Sequence, residues 1–133
     1  MIGFTGNRFG LTENQKKEIR TILDTYQNIT LYHGDCIGAD TMFHELCVEY
    51  KKNNINKIIN IIIFPPDDDK LRGFNKGDII MPPKPYLKRN EDIVNKCDVL
   101  IACPIDKNKE ILRSGTWATI RKARKLNKTI HLL

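Results

Sequence analysis

The sequence predicts an α/β fold: a single three-layer, Rossmann-like domain built on a five-stranded, mostly parallel sheet. Three observations predict it. Short apolar runs rich in β-branched residues alternate with longer stretches of helical periodicity along the whole chain, as parallel strands joined by crossover helices require. Three of the polar loops that follow or precede these runs are rich in small residues: Gly6-Asn7-Arg8, Gly34-Asp35-Cys36-Ile37-Gly38-Ala39-Asp40 and Arg113-Ser114-Gly115-Thr116. There is no internal repeat or low-complexity linker, and 133 residues is a single-domain length that buries a core without disulfides or a structural metal.

Ile2 to Thr5 is the first strand. Leu11 to Tyr26 follows as a helix, because Thr12-Glu13-Asn14-Gln15 fits a capping box and Ile19, Ile22, Leu23 and Tyr26 share one apolar face. Ile29 to His33 is the second strand, ended by Gly34, and Asp40 is placed to cap the next helix. On that helix Ala39, Met42, Phe43, Leu46, Cys47 and Tyr50 recur at helical spacing; His44 falls off the stripe and makes a poor metal pair with Cys47. The third strand, Ile58 to Phe64, is nearly all β-branched, as expected of a strand covered on both faces. From Pro65 to Pro85, the residues Gly73, Gly77, Pro82 and Pro83 argue for a long loop or partly mobile flap able to close over a ligand. Tyr86, Asn90, Ile93, Val94 and Cys97 mark a helix leading into the strand Asp98 to Cys103, which Pro104 stops. A helix from Thr116 to Leu126 and a strand from Thr129 to Leu133 complete the alternation.

Composition excludes several classes. No run approaches the roughly 18 apolar residues that span a membrane, and Met1-Ile2-Gly3-Phe4 lacks the basic leader and length of a secretory signal. The expected localisation is cytoplasmic, with no membrane partner. Cys36, Cys47, Cys97 and Cys103 lack paired spacing and read as free thiols, so no metal and no cofactor is expected. Asp67-Asp68-Asp69 is better explained by solvation than by Mg2+. The net charge of +6 reflects in part a general enrichment in Ile, Asn and Lys. Arg121, Lys122, Arg124, Lys125 and Lys128 read as a solvated helix face that attracts anions at long range, with Ile120, Ala123 and Leu126 turned inward.

In a parallel sheet every strand-to-helix loop opens on the same edge, so loops distant in sequence converge on one ligand. Small residues admit the ligand to the backbone, and free N–H groups at helix starts favour an anion. The three loops therefore nominate Gly6, Asn7, Arg8, Gly34, Asp35, Gly38, Ala39, Asp40, Ser114, Gly115 and Thr116 as ligand-binding residues. Arg8 supplies a bidentate cation, while Gly115 and Thr116 present N–H groups and a hydroxyl to phosphate. Trp117 either stacks on a base or packs against the loop. There is no Walker motif, nucleophile elbow or metal-ligand cluster.

Through Gly6-Asn7-Arg8, Gly34-x-x-x-Gly38-Ala39-Asp40, Arg89-Asn90 and Ser114-Gly115-Thr116 the chain resembles the SLOG superfamily. These are Rossmann-like proteins that include the LOG phosphoribohydrolases, the DprA DNA-processing proteins and ligand-sensing domains of antiviral systems. The resemblance implies a sheet order of 3-2-1-4-5 and a ligand at the switch point between strands 1 and 4. It also implies a sugar-binding carboxylate at Asp40, nucleotide contacts from Arg89 and Asn90, and a homodimer. The LOG enzymes, which the chain resembles, carry a catalytic Glu where this sequence has Thr119, and a hydroxyl cannot replace a carboxylate as general base. The favoured reading is thus residues 1–133 as one SLOG-like module that binds a nucleotide or nucleotide-derived signal, such as an ADP-ribose derivative, as sensor, carrier or sequestering protein. The alternative is a nucleotide or nucleoside N-glycosidase using Asp35, Asp40 or Glu91. A DprA-like DNA-binding protein comes third, with nucleic acid the less favoured partner.

Overall fold

The computed structural model describes residues 1–133. In chain order the elements are β1 (Ile2–Gly6), α1 (Glu13–Asp24), β2 (Asn28–His33), α2 (Ala39–Asn53), β3 (Ile58–Ile63), β4 (Ile79–Ile80), α3 (Tyr86–Lys96), β5 (Val99–Cys103), α4 (Gly115–Lys125) and β6 (Thr129–Leu132). All pairings are parallel, β1 lying between β2 and β5 with Ile2 opposite both Leu31 and Val99. The order β4-β3-β2-β1-β5-β6 corrects the expectation of five strands in the order 3-2-1-4-5: the five expected strands keep their relative places, and β4 extends the edge beyond β3.

Helices cover both faces. On one, Ile19 and Leu23 of α1 and Phe43, Leu46 and Cys47 of α2 pack on Ile2, Phe4, Leu31 and Ile61, with the Phe4 and Phe43 rings stacked at 4.2 Å. On the other, Ile93 and Val94 of α3 and Trp117, Ile120 and Ala123 of α4 pack on Tyr32, Leu100 and Ala102. This second helix pair stops short of the β3 edge. Ile59, Ile61 and Ile63 are buried while Ile58 is 63% exposed and Asn60 is open to solvent, so β3 is not covered on both faces as its composition predicts.

Local signals set the helix starts. Thr12 Oγ1 accepts from Gln15 N at 3.1 Å and Gln15 Oε1 accepts from Thr12 N at 2.9 Å, the predicted capping box. The N-cap of α2 is Gly38, and Asp40 lies inside the first turn. At the other end of the chain Leu126 is 40% exposed rather than turned inward, and Arg121 and Arg124 hold Glu110 at 2.9 and 3.7 Å.

The segment from Pro65 to Pro85 is not a free flap. Asp78 N, Met81 N and Lys84 N donate to the carbonyls of Ile61, Ile63 and Pro65 at 2.8, 2.8 and 3.2 Å, continuing the parallel ladder around β4. Asp78 Oδ2 accepts from Ile61 N at 2.7 Å, and Asp69–Leu71 form a turn of 3-10 helix. Pro82 and Pro83 are tolerated because they sit on the outermost edge, where no further strand needs their missing N–H. No helix is long and apolar enough to cross a membrane.

Gly38 adopts φ +101°, and a side chain there would run into the Arg8 carbonyl. Gly38→Ala should lower unfolding free energy by about 2–4 kcal/mol, since strain and overlap combine. Urea denaturation reads this directly; a loss near zero would mean that the two loops do not touch.

Candidate functional site

The glycine loops meet at the carboxyl edge of the sheet. The Thr116 hydroxyl at the start of α4 donates to the Gly6 carbonyl at 2.9 Å, and Ala39 N at the start of α2 donates to the Asn7 carbonyl at 2.9 Å. A side chain on Gly6 would approach Ala39 Cβ to 2.5 Å, so this glycine serves the close approach of α2 to β1. Asn7 acts as a clamp: Nδ2 donates to the carbonyls of Gly10 and Cys103 at 3.1 and 3.0 Å, and Oδ1 accepts from Phe9 N and Gly10 N at 2.8 and 3.0 Å. Arg8, beside it, is exposed and its side chain has no protein partner. Ser114 Oγ accepts from Trp117 N at 3.2 Å, which leaves the N–H groups of Gly115 and Thr116 without a protein acceptor.

Beneath the loops lies a buried polar cluster. Arg89, 3% exposed, donates from Nη1 to the Gly34 carbonyl and to the Phe64 carbonyl at 2.9 Å, from Nε to Asn90 Oδ1 at 2.7 Å and from Nη2 to Cys36 Sγ at 3.2 Å. A side chain on Gly34 would collide with that guanidinium. Asp35 is fully buried at φ +55°; its carboxylate accepts from Asn75 N at 3.0 Å, Asn75 Nδ2 at 2.7 Å and Arg72 Nε at 3.3 Å, tying the 65–85 segment to the β2–α2 loop. Asp40 Oδ2 accepts from Cys36 N at 3.1 Å. Burial pushes the Asp40 carboxyl up to about 6, against the opposing pull of the Arg89 charge. Burial, reinforced by Asp40, also pushes the Cys36 thiol up. Asp35, Arg89 and Asn90, expected at a ligand, are thus engaged by the protein itself.

His33 and His44 form a pair that the helical stripe missed. Asp35 N donates to His33 Nδ1 at 3.0 Å, so the neutral ring carries its proton on Nε2 and donates it to His44 Nδ1 at 2.9 Å. Burial foremost, then the charges of His44 and Arg89, depress His33 to about 3 and keep it neutral. Trp117 is 3% exposed in the α3–α4 core, with Nε1 unpartnered, which decides for packing over base stacking. Thr119 is buried, and its hydroxyl donates to the Gly115 carbonyl at 2.9 Å.

A cavity of about 230 Å3 opens beside Arg89, lined by Phe64, Met81, Pro82, Lys84, Arg89 and Asp92. A second, of about 350 Å3, lies on the outer side of α2 against His44, Glu45 and Lys52, away from the glycine loops. No group of three or more His, Cys, Asp or Glu side chains is placed to hold a metal.

No family model and no curated protein matches the sequence. Among solved structures the chain is similar to the X-ray structure of TM1055, a structural-genomics target, at 15% identity and a TM-score of 0.57, over 97% of this chain and 71% of that one. At that identity the likeness concerns the fold alone, and the class it defines with the sheet topology is a Rossmann-like α/β protein.

Arg89→Lys should destabilise the protein by about 2–4 kcal/mol, because an ammonium cannot reach the two carbonyls, the amide oxygen and the thiol together. An unchanged urea midpoint would remove the guanidinium from its structural role. The folded protein holds the Asp40 proton to about pH 6, whereas the unfolded chain releases it near 3.8. The folded state therefore binds more protons in that window, and its stability falls as pH rises through it. The advantage of the wild type over Asp40→Asn should shrink by up to about 3 kcal/mol between about pH 4 and 6. Urea melts of both proteins across that range would show a constant difference if Asp40 titrates normally.

Proposed function

We propose that this chain is a binding module for a nucleotide or nucleotide-derived phosphate ester of the ADP-ribose kind, acting as a sensor, carrier or sequestering protein within the SLOG superfamily. One observation carries the reading: the exposed, unpartnered Arg8 lies on the loop that the Thr116–Gly6 hydrogen bond joins to a helix start with two N–H groups lacking acceptors. A phosphate placed there meets a guanidinium and oriented backbone donors at once. Gly115 lies beside the Tyr86 ring, which a side chain there would meet at 3.2 Å.

A second reading, N-glycosidic hydrolysis, draws on the Asp40 carboxyl, which holds its proton to about pH 6 as a general acid must. Binding is preferred because Asp40 is 7% exposed and its oxygen is held by its own loop, and because the Thr119 hydroxyl is engaged within α4. Chromatography of nucleoside monophosphates incubated with the protein separates the two; rapid release of free base would promote hydrolysis.

Titration calorimetry with ADP-ribose should give an affinity about tenfold weaker for Arg8→Lys than for wild type, because Lys keeps the charge but not the two parallel hydrogen bonds. The melting temperatures of the two apo proteins should agree, as exposed substitutions change stability by less than about 0.5 kcal/mol. Equal affinities would take Arg8 out of the site.

A further inference from the structure

We infer that the cavity beside Arg89 receives a nucleobase, and that its rim selects a guanine-type edge. The inference rests on the nucleotide reading above and narrows it, setting a guanine-type base in place of the adenine that ADP-ribose carries. The cavity lies between the end of β3, the segment that continues β4, and α3. Phe64, Met81 and Pro82 supply apolar wall, and the Met81 thioether adapts to a flat ring. Arg89 adds a buried cation whose hydrogen bonds use four of the five N–H groups that an Arg carries, leaving one on Nη2.

The chemistry of selection is at the rim. Lys84 Nζ and Asp92 Oδ2 stand 2.7 Å apart with side chains 51% and 30% exposed, so a donor cation and an acceptor carboxylate sit side by side within reach of a ligand in the cavity. An exposed ion pair of this kind contributes little to stability, and re-aiming it toward a ligand costs correspondingly little. Guanine presents a carbonyl next to two N–H donors. The carbonyl suits the ammonium, and the two donors match the two carboxylate oxygens as a bidentate pair. Adenine offers the carboxylate only its exocyclic amine and the ammonium a ring nitrogen.

The cavity is also placed for a nucleotide. A side chain on Gly115 would meet the Tyr86 ring at 3.2 Å, so α3 begins beside the proposed phosphate position. Asp92 lies six residues further along α3, about 9 Å of helix axis at the standard rise. That is the scale of a nucleoside monophosphate.

The full-length protein is titrated with GMP, IMP, AMP and ribose 5-phosphate by calorimetry. GMP should bind roughly tenfold more tightly than AMP, with IMP, which lacks the exocyclic amine, between them. Asp92→Asn should abolish the order without lowering the melting temperature. Equal GMP and AMP affinities, or a GMP preference that survives Asp92→Asn, would overturn the inference. If ribose 5-phosphate binds in an Arg8-dependent way but no base adds affinity, the base pocket fails and the nucleotide-edge reading stands. If none of the four binds, both fail.

Discussion

Parallel strands end together, and where their ladders stop the last carbonyls must find donors or water. Just past the β2 and β3 ends of this sheet, the donors to the Gly34 and Phe64 carbonyls come from one side chain. Arg89, carried on α3, reaches the carbonyls of Gly34 and Phe64 and the Cys36 thiol. Burying a guanidinium is tolerable only with its charge balanced and its N–H groups engaged. Asp40 lies close enough for the Arg89 charge to act on its ionisation, and Asn90 takes the remaining Nε proton. Gly34 follows from this requirement, because any side chain there would occupy the guanidinium's place.

A second carboxylate, Asp35, does the corresponding work for the connecting segment. Beyond the β4 ladder, helix side chains hold the stretch between β3 and α3 at a few points: Thr41 of α2 at Asn75, Lys51 of α2 at Asp78 and Asp92 of α3 at Lys84. Asn75 and Arg72 also close on the fully buried Asp35, whose left-handed backbone is in turn supported by the His33 ring. The edge is therefore rigid by polar contacts where most of the core is rigid by apolar ones. A carboxylate left without these partners would be a buried, unpaired charge.

This division explains what the sequence made legible. The capping box at Thr12, the helix faces and the convergence of the glycine loops rest on local spacing, and local spacing survives in the structure. Strand β4 does not follow from any local pattern: Ile79 and Ile80 pair only because Asp78 grips Ile61 on both sides of its peptide. The β-branched run of β3 reports strand propensity but not how many faces are covered, which depends on how far α3 extends across the sheet. Periodicity leaves His44 off the apolar stripe and does not place Arg89 in the interior because it scores apolarity, whereas His44 is buried against His33 and Arg89 against the Phe64 carbonyl. Asp40 reads as a cap from its position; its carboxylate reaches back to Cys36 N instead, and Gly38 caps because only it accommodates the Arg8 carbonyl.

The general rule for open sheets places a ligand in the crevice where strand order reverses, here between β1 and β5. In this chain that crevice is stitched shut. Asn7 N and Nδ2 both donate to the Cys103 carbonyl, at 3.1 and 3.0 Å, and the Thr116 hydroxyl spans from the α4 side to Gly6. These bonds occupy the groups that a deeply inserted ligand would use. On the proposed reading a phosphate would rest above the seam, where the Gly115 and Thr116 N–H groups remain open and Arg8 is unengaged, and the rest of the ligand would pass to one side of it. On the α1 side Phe9 and Arg8 are exposed to solvent. On the α3 side the start of the helix leads past Tyr86 to the cavity at Arg89 and Asp92, which is the direction in which a nucleotide bound as proposed would gain further contacts.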